Sequence, residues 1–208
     1  MTPENPNPLV IIVSGPSGSG KSTLVSKLRE LPGTLFSVSY TTRPPRTQES
    51  PGKWYDFISE QEFERMVRGG EFLEFAQVFG CHWYGTPRKW LEKARKEGLD
   101  LVLEIDVQGA AQVKAKIPEA VAIFILPPSR KELERRLRAR GQDSDDSIAK
   151  RLERARKEVE RYREYDYLIV NDDLERADNT ILAIALAERA ARRVMQQRAQ
   201  EILDSFGG

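Results

Sequence analysis

The sequence predicts an α/β fold with a parallel β-sheet at its centre. Three largely apolar runs, at residues 9–13, 101–106 and 120–126, are short and nearly continuous, which is typical of strands buried on both faces. Segments with apolar residues at helical spacing follow each run, so strands and helices alternate along the chain. This alternation predicts a three-layer core with helices on both sides of the sheet.

The turn between the first predicted strand and the first predicted helix carries a phosphate-binding pattern. Residues 15–22 fit the P-loop pattern G-x-x-x-x-G-K-[ST] in its required strand–loop–helix setting. Backbone N–H groups of such a loop, and the positive end of the next helix, face a phosphate chain. We predict a triphosphate site in which Lys21 reaches the β and γ phosphates and Ser22 holds Mg²⁺. A glycine-rich turn without a ligand is the alternative.

The composition bounds the class of protein. The chain has 208 residues, enough for one sizeable core, and its 33 basic and 32 acidic residues give a net charge of +1. This balance does not suggest a nucleic-acid or membrane-surface binder. Its one cysteine, Cys81, excludes an internal disulfide and suits the cytoplasm. Residues 1–8 have no basic apolar leader, so we expect a flexible tail rather than a signal peptide.

The first third of the chain is predicted to form the acceptor side of the site. A helix is expected at Lys21–Leu31, followed by a strand at Leu35–Ser39 beside the P-loop strand. Residues 37–57 hold three prolines and are predicted to be a loop. Arg43 and Arg46 in this loop would bring two guanidinium groups close to the transferring phosphate.

The next segment predicts a small α/β unit. A capping box at residues 59–62 opens a short helix, and Phe72–Val78 alternates like a strand that carries Glu74. Residues 83–87 are predicted to be a turn into a helix that ends near Lys96. In that prediction Thr86 is the N-cap and Pro87 the first helical residue.

An acid ends the second apolar run. Asp106 follows this strand as in a Walker B motif, where a carboxylate supports Mg²⁺. The signal is weak alone, since many strands end in Asp, and the upstream P-loop strengthens it. Helix 108–117 is expected to follow.

The remainder of the chain is predicted to be mostly helical. Residues 129–164 predict two charged helices split at 141–147, and their arginines fit either solvated i,i+4 ion pairs or a mobile lid over ATP. Tyr167–Val170 predicts the last strand. A long helix at Leu174–Ile202 could pack on the core or on a second subunit, so a homo-oligomer stays open.

Taken together, these motifs resemble one family, guanylate kinase. The matching runs are residues 14–23, 37–39, 41–46, 71–77, 84–85, 104–109 and 169–173. They occur in the family's order over about residues 10–173. The resemblance implies one domain at 9–208, with a P-loop NTPase core (9–37, 99–128 and 161–208), an inserted GMP-binding lobe (38–98) and a helical lid (129–160).

The resemblance also implies roles for individual residues. For ATP the implied contacts are Gly15, Pro16, Ser17, Gly18, Ser19, Gly20, Lys21, Ser22, Thr23, Arg140 and Asn171. For the GMP phosphate they are Arg43, Arg46, Tyr55 and Tyr84, and around the guanine Ser39, Glu74, Thr86 and Asp106. Lys21, Arg43, Arg140 and Arg151 would be catalytic, and Ser22 and Asp106 would hold Mg²⁺. Two positions depart from the family: Thr86 stands where serine is frequent, and Glu104 where aspartate is frequent.

The implied reaction is ATP + GMP ⇌ ADP + GDP with Mg²⁺, a step in GMP recycling and GTP supply. The acceptor phosphate has a second pKa of about 6, so no general base is needed and catalysis would be positioning and charge neutralisation. A carboxylate at Glu74 could accept from guanine N1–H and the 2-amino group, whereas adenine presents a lone pair there. Alternatives are a non-catalytic phosphopeptide-binding module of the same fold and a P-loop kinase with another phosphorylated acceptor.

Overall fold

The structure, a computed structural model, describes residues 8–45, 49–78, 81–139 and 144–206. Two predicted site residues, Arg46 and Arg140, lie outside the described residues, as does most of the predicted tail. The strands are β1 Val10–Ser14, β2 Thr34–Phe36, β3 Ser39–Thr41, β4 Tyr55–Phe57, β5 Phe72–Val78, β6 His82–Pro87, β7 Asp100–Glu104, β8 Val121–Leu126 and β9 Tyr167–Val170. The helices are α1 Lys21–Glu30, α2 Glu60–Arg68, α3 Lys89–Glu97, α4 Val107–Lys116, α5 Arg130–Ala139, α6 Asp145–Glu160, α7 Leu174–Arg189 and α8 Arg192–Asp204.

The core is the predicted three-layer arrangement around a parallel sheet. Its five strands lie in the order β2-β7-β1-β8-β9, with β1 at the centre. Alternate side chains of β1 enter different apolar clusters: Ile11 packs with α1 and α7, and Ile12 packs with α3 and α4. The P-loop therefore leaves the carboxyl end of a strand that is buried on both faces, so its starting point is held rigidly.

A second sheet forms a separate lobe, which consists of β3, β4, α2, β5 and β6. The strand order is β4-β3-β6-β5, and the lobe has its own apolar cluster around Phe63, Met66 and Phe72. The Phe63 ring stacks on the Phe72 and Trp83 rings, with centroids 4.6 and 5.9 Å apart. Helices α5 and α6 form an arm with a third small cluster that includes Leu137 and Ile148. No helix in the described part of the chain is both long and apolar enough to cross a membrane.

Two expectations for the segment after α1 are wrong. β2 pairs with β7, and β7 rather than β2 lies beside β1. The chain then leaves the core, because β3 begins at Ser39 in the second sheet. The predicted loop at 37–57 thus contains β3 and β4, and Pro44 and Pro45 fall between these strands, where they interrupt no ladder.

The predicted turn at residues 83–87 is also wrong. These residues belong to β6, in which Thr86 pairs with Glu74 of β5 and is fully buried, and α3 begins only at Lys89. Threonine before proline is typical of a helix start, but the aromatic and β-branched residues here favour a strand. Pro87 is tolerated because it is the last residue of that strand.

The long C-terminal helix is two helices, α7 and α8. The break falls at Ala190 and Ala191, of which Ala191 is extended. Beyond the break, Val194 packs in the same apolar cluster as Ile181 and Ala185. Burial of this side chain accounts for the change of direction, which alanine's high helix propensity conceals in the sequence.

Helix α7 is anchored to the core by a buried carboxylate. Asp100 is 1% exposed, and its two oxygens accept from the Leu9 amide (2.8 Å) and from Arg189 Nε (2.6 Å). Arg189 also donates to the Thr34 hydroxyl at 3.1 Å. The network ties the end of α7 to the starts of β2 and β7.

Removal of the Arg189 side chain should therefore be costly. Arg189→Ala removes the guanidinium group that pairs with the buried Asp100 carboxylate, and we expect a loss of about 3 kcal/mol in the free energy of unfolding. Urea unfolding measures the change. Arg198→Ala, which breaks an exposed ion pair with Glu201, is the control and should cost less than about 1 kcal/mol. Equal losses in both variants would contradict the anchoring role.

Candidate active site

One cleft of about 410 Å³ runs between the P-loop, the lobe, the end of β7 and the arm. The structure thus brings together residues from four separate parts of the chain. The predicted site residues that line it are Gly15, Ser17, Gly18, Gly20, Lys21, Ser22, Thr23, Ser39, Arg43, Tyr55, Glu74, Tyr84, Asp106 and Arg151. The other described ones do not line it: Pro16 and Ser19 contact Lys21 and Asn171 through their carbonyls, Thr86 is bonded to Glu74, and Asn171 is bonded to the P-loop.

The P-loop has glycine where other parts of the chain close on it. A methyl group on Gly15, whose φ is +141°, would overlap the backbone carbonyl of Ile125 in β8. A methyl group on Gly20, with φ +94°, would overlap the side-chain amide of Asn171. Both positions thus require glycine for backbone conformation and for space.

The P-loop lysine is held within its own loop. Lys21 Nζ donates to the carbonyl oxygens of Gly15 (2.7 Å) and Pro16 (3.0 Å). Its charge also acts on Glu104 at the end of β7. The ammonium group thus lies at the mouth of the P-loop, with partners that phosphate oxygens could replace.

Glu104, rather than Asp106, is the carboxylate beside Ser22. The Ser22 hydroxyl donates to Glu104 Oε1 at 2.7 Å. Burial raises the pKa of Glu104, and the charge of Lys21 and the bond from Ser22 act against that rise. Asp106 instead caps α4: its Oδ1 accepts from the amides of Gln108 and Gly109 at 3.0 and 2.9 Å.

The far side of the P-loop is bonded to the end of β9 and to the arm. Asn171 Nδ2 donates to the Ser19 carbonyl at 2.8 Å. Arg136 of α5 donates to the Asn171 carbonyl at 2.9 Å and contacts the Ser19 carbonyl at 3.5 Å. Arg136 could not be assigned to the site from the sequence, because its spacing from Glu132 matches an ordinary i,i+4 ion pair.

Arg43 is oriented by three side-chain or backbone partners in the lobe. Its two terminal nitrogens pair with both oxygens of Glu49 at 2.8 and 2.9 Å, and one of them also reaches the Pro44 carbonyl. Its Nε donates to the Tyr84 hydroxyl at 3.0 Å. The Tyr55 ring packs edge-on against Tyr84, and burial raises the pKa of the Tyr55 hydroxyl. Glu49 could not be predicted as a partner of Arg43, because a single acidic residue in a polar loop is not part of a recognisable motif.

Glu74 is a buried carboxylate that faces the cleft. It is 4% exposed, and its Oε1 accepts from the Thr86 hydroxyl at 2.7 Å. The Ser39 hydroxyl lies 3.3 Å from Thr86 Oγ1, so three polar groups form one buried cluster. Burial raises the pKa of Glu74 to about 7, Asp106 contributes to the rise, and the bond from Thr86 opposes it.

The arm supplies two arginines to the cleft. Arg151, a predicted site residue, lines it, and so does Arg154, which was not predicted. Arg154 bridges Asp106 (3.2 Å) and Glu158 (2.7 Å), so it joins α6 to the cap of α4. Two other arm arginines form exposed ion pairs within α5: Arg135 with Glu132 at i,i+3, and Arg138 with Glu134 at the i,i+4 spacing that the sequence suggests.

Comparisons with known proteins agree on one family. The family model described as guanylate kinase matches residues 7–188. A guanylate kinase of Koribacter versatilis is 48% identical over 95% of both chains, and one of Aliivibrio fischeri is 51% identical over 86% of this chain and 87% of its own. The crystal structure of guanylate kinase from Anaplasma phagocytophilum superposes with a TM-score of 0.72 at 35% identity, over 92% of this chain and 95% of the other.

The pKa of Glu74 predicts how stability depends on pH. A carboxyl whose pKa is raised on folding binds its proton more tightly in the folded state, so its contribution to stability falls as pH rises from about 4.5 to 7 and then levels off. Between these two pH values, the free energy of unfolding should fall by about 3 kcal/mol more in the unchanged protein than in Glu74→Gln. Chemical unfolding of both proteins at a series of pH values measures the difference. A difference that is constant with pH would show that Glu74 titrates normally.

Proposed function

The chain belongs to the guanylate kinase family and is an ATP:GMP phosphotransferase, and we propose that the cleft binds its two substrates end to end. The observation that carries this proposal is one cleft lined both by the P-loop and by the buried carboxylate of Glu74. In it the γ-phosphate of ATP, held at the P-loop, would face the phosphate of GMP, held by the lobe.

For ATP, we propose that residues 15–23 wrap the phosphates. Lys21 would exchange the carbonyls of Gly15 and Pro16 for phosphate oxygens, which are stronger acceptors because they are charged. Arg151, with Arg140, would neutralise the transferring group from the arm, which then acts as the lid. Asn171 beside the adenine stays a prediction from the family resemblance, since its side chain is bonded to the Ser19 carbonyl of the P-loop.

For Mg²⁺, the pair Ser22 and Glu104 fits better than Asp106. A hydroxyl that donates to a carboxylate keeps lone pairs for a metal, and oxygen ligands are those that Mg²⁺ prefers. The described residues hold no cluster of three His, Cys, Asp or Glu side chains, so phosphate oxygens and water would complete the shell. When bound, the ion would neutralise charge that develops on the phosphates. Asp106 as a ligand stays a prediction.

For the GMP phosphate, we propose Arg43, Tyr55 and Tyr84, with Arg46. The guanidinium group of Arg43 is held by the Tyr84 hydroxyl and by both oxygens of Glu49. A phosphate would share or replace the Glu49 bonds, since phosphate oxygens are charged acceptors of the same kind. Two arginines would also offset the repulsion between the donor and acceptor phosphates.

For the guanine, we propose that Glu74 reads N1–H and the 2-amino group. Thr86 holds one oxygen of the carboxylate, and Ser39 and Asp106 lie around the same subsite. Adenine would oppose the carboxylate with an unprotonated N1 and no amine. Buried polar groups left unpaired in this way can discriminate by up to about 10⁴–10⁵-fold.

In this mechanism the protein moves no proton. The acceptor phosphate is largely ionised at neutral pH, and the cleft needs only to align the two phosphates and neutralise their charge. Water must be kept from the γ-phosphate, and closure of the arm and the lobe would exclude it.

The direct test measures ADP formation from Mg-ATP with GMP, AMP or no acceptor. We expect fast ADP formation when GMP is the acceptor, and little with AMP or without an acceptor. Turnover with another phosphorylated acceptor, or folded protein that binds GMP or a phosphopeptide without turnover, would support one of the two alternatives instead. We retain the cytoplasmic location and the lack of nucleic-acid and membrane partners as predictions, and the oligomeric state as open.

Glu74→Gln should weaken GMP use far more than ATP binding. The change replaces one acceptor oxygen by an NH₂ donor, which would face an N–H donor of guanine. We therefore expect kcat/KM for GMP to fall about 100-fold or more, while the KM for ATP changes little. Steady-state kinetics with each substrate varied separately measure this. An unchanged preference for GMP over AMP would contradict the role of Glu74.

The proposed metal assignment predicts different effects at the two acids of β7 and α4. Glu104→Gln should raise the Mg²⁺ concentration for half-maximal activity about 10-fold, because the charge beside Ser22 is lost. Asp106→Asn should raise it less. Titration of activity with Mg²⁺ at saturating ATP and GMP compares the two variants, and a larger shift in Asp106→Asn would favour Asp106 as the ligand.

A further inference from the structure

Helix α4 is bonded to β5 on both sides of Glu74. Gln112 exchanges two hydrogen bonds with the backbone of Phe75: its Nε2 donates to the carbonyl at 2.7 Å, and its Oε1 accepts from the amide at 3.3 Å. One turn further on, Lys116 Nζ donates to the Leu73 carbonyl at 2.5 Å. These bonds fix the distance between the helix and the strand at the residues that flank Glu74.

Gly109 occupies the corresponding position one turn earlier in α4, where the carboxylate of Glu74 lies against the helix. A methyl group on Gly109 would overlap Glu74 Oε2 and lie 2.9 Å from its carboxyl carbon. Gly109 is buried, and its amide is used in the cap by Asp106. Because α4 cannot withdraw from β5, the Glu74 carboxylate would have to move instead.

We propose that Gly109 is a positioning residue for base selection, one that sets the plane of the Glu74 carboxylate. The hydrogen bond from Thr86 holds Oε1, and Oε2 occupies the space that a side chain at position 109 would fill. A carboxylate that accepts two parallel N–H bonds from guanine needs both oxygens in the plane of the base. A side chain at position 109 would rotate the group and leave at most one good bond. The inference rests on the proposed role of Glu74 as the guanine reader.

Stability and selectivity should respond differently to substitution here. The atoms that a methyl group at position 109 would meet belong to the end of a side chain and not to the backbone, and alanine favours a helix more than glycine does. The midpoint of thermal unfolding of Gly109→Ala should therefore be unchanged or higher. The requirement for glycine at this position would then be a requirement of the site and not of the fold.

The test compares GMP with inosine monophosphate, which has N1–H but no 2-amino group. In Gly109→Ala we expect kcat/KM for GMP to fall about 10- to 100-fold, the loss of one bond to a charged acceptor. We expect a smaller fall for inosine monophosphate and an unchanged KM for ATP. Gly69→Ala is the matched control, because its methyl group would lie 3.0 Å from a carboxylate oxygen of Glu71, outside the cleft, and both activities should stay unchanged.

Variants of Glu74 separate the two ideas. If Glu74→Gln reduces the preference for GMP and Gly109→Ala does not, this inference is wrong and the proposed function stands. If Glu74→Gln leaves the preference for GMP unchanged, Glu74 does not recognise guanine, and both the proposed role of Glu74 and this inference are wrong. In a Glu74→Ala background, Gly109→Ala should have no further effect on GMP use. The same loss in that background would show that Gly109 acts independently of Glu74.

Folding itself gives a further readout. Should Gly109→Ala fail to fold, restoration of folding by Glu74→Ala would support the proposed contact, since that change removes the clashing carboxylate. Failure of the double variant as well would overturn the proposal, because glycine would then be required by the helix or its backbone.

Discussion

The phosphate loop can take its shape only because it lacks side chains where other parts of the chain close on it. Gly15 faces the carbonyl of Ile125 in β8, Gly18 packs against two leucines of α5, and Gly20 meets the side chain of Asn171. The central sheet, the arm and the end of β9 are therefore all in contact with one short segment. Because interiors pack densely, a displacement of any of these elements is felt at the loop, and the geometry of the triphosphate site depends on all three.

The acceptor side depends on a different constraint, the burial of charge. The Glu74 carboxylate is removed from water and accepts hydrogen bonds from Thr86, and its burial raises its pKa. A guanine edge would supply further donors to this buried cluster, whereas water could supply them only by entering a buried site. In the proposed complex, selection of the base and relief of the cost of burying this charge would be one interaction. It also explains why Thr86 belongs to a strand, since only the pairing of β5 with β6 places its hydroxyl at the carboxylate.

The sequence was sufficient for the features that depend on local pattern. The apolar runs of the central strands, the P-loop and the charged arm all follow from periodicity and motif, and the structure contains each of them. The failures have non-local causes. Thr86 and Pro87 carry a helix-start signal that cross-strand pairing overrides, β2 was assigned the wrong neighbour because strand order is set by the crossovers, and burial of Val194 breaks a segment of high helix propensity. Glu49, Arg136 and Arg154 could not be assigned from pattern, since their roles come from neighbours distant in sequence or from ordinary-looking ion pairs.

The arm differs from the rest of the structure in how it is attached. Its own apolar cluster holds α5 and α6 together, while several of its attachments to the core are polar: Arg136 to the carbonyls of Ser19 and Asn171, and Arg154 to Asp106. The Arg136 contacts are hydrogen bonds to backbone carbonyls and Arg154–Asp106 is an ion pair, so other acceptors can replace each of these partners. Each of these contacts is made to a residue that we propose binds a nucleotide. If the nucleotides bind as proposed, their phosphates would offer charged acceptors to the arginines of the arm, and nucleotide binding would be coupled to the placement of the arm.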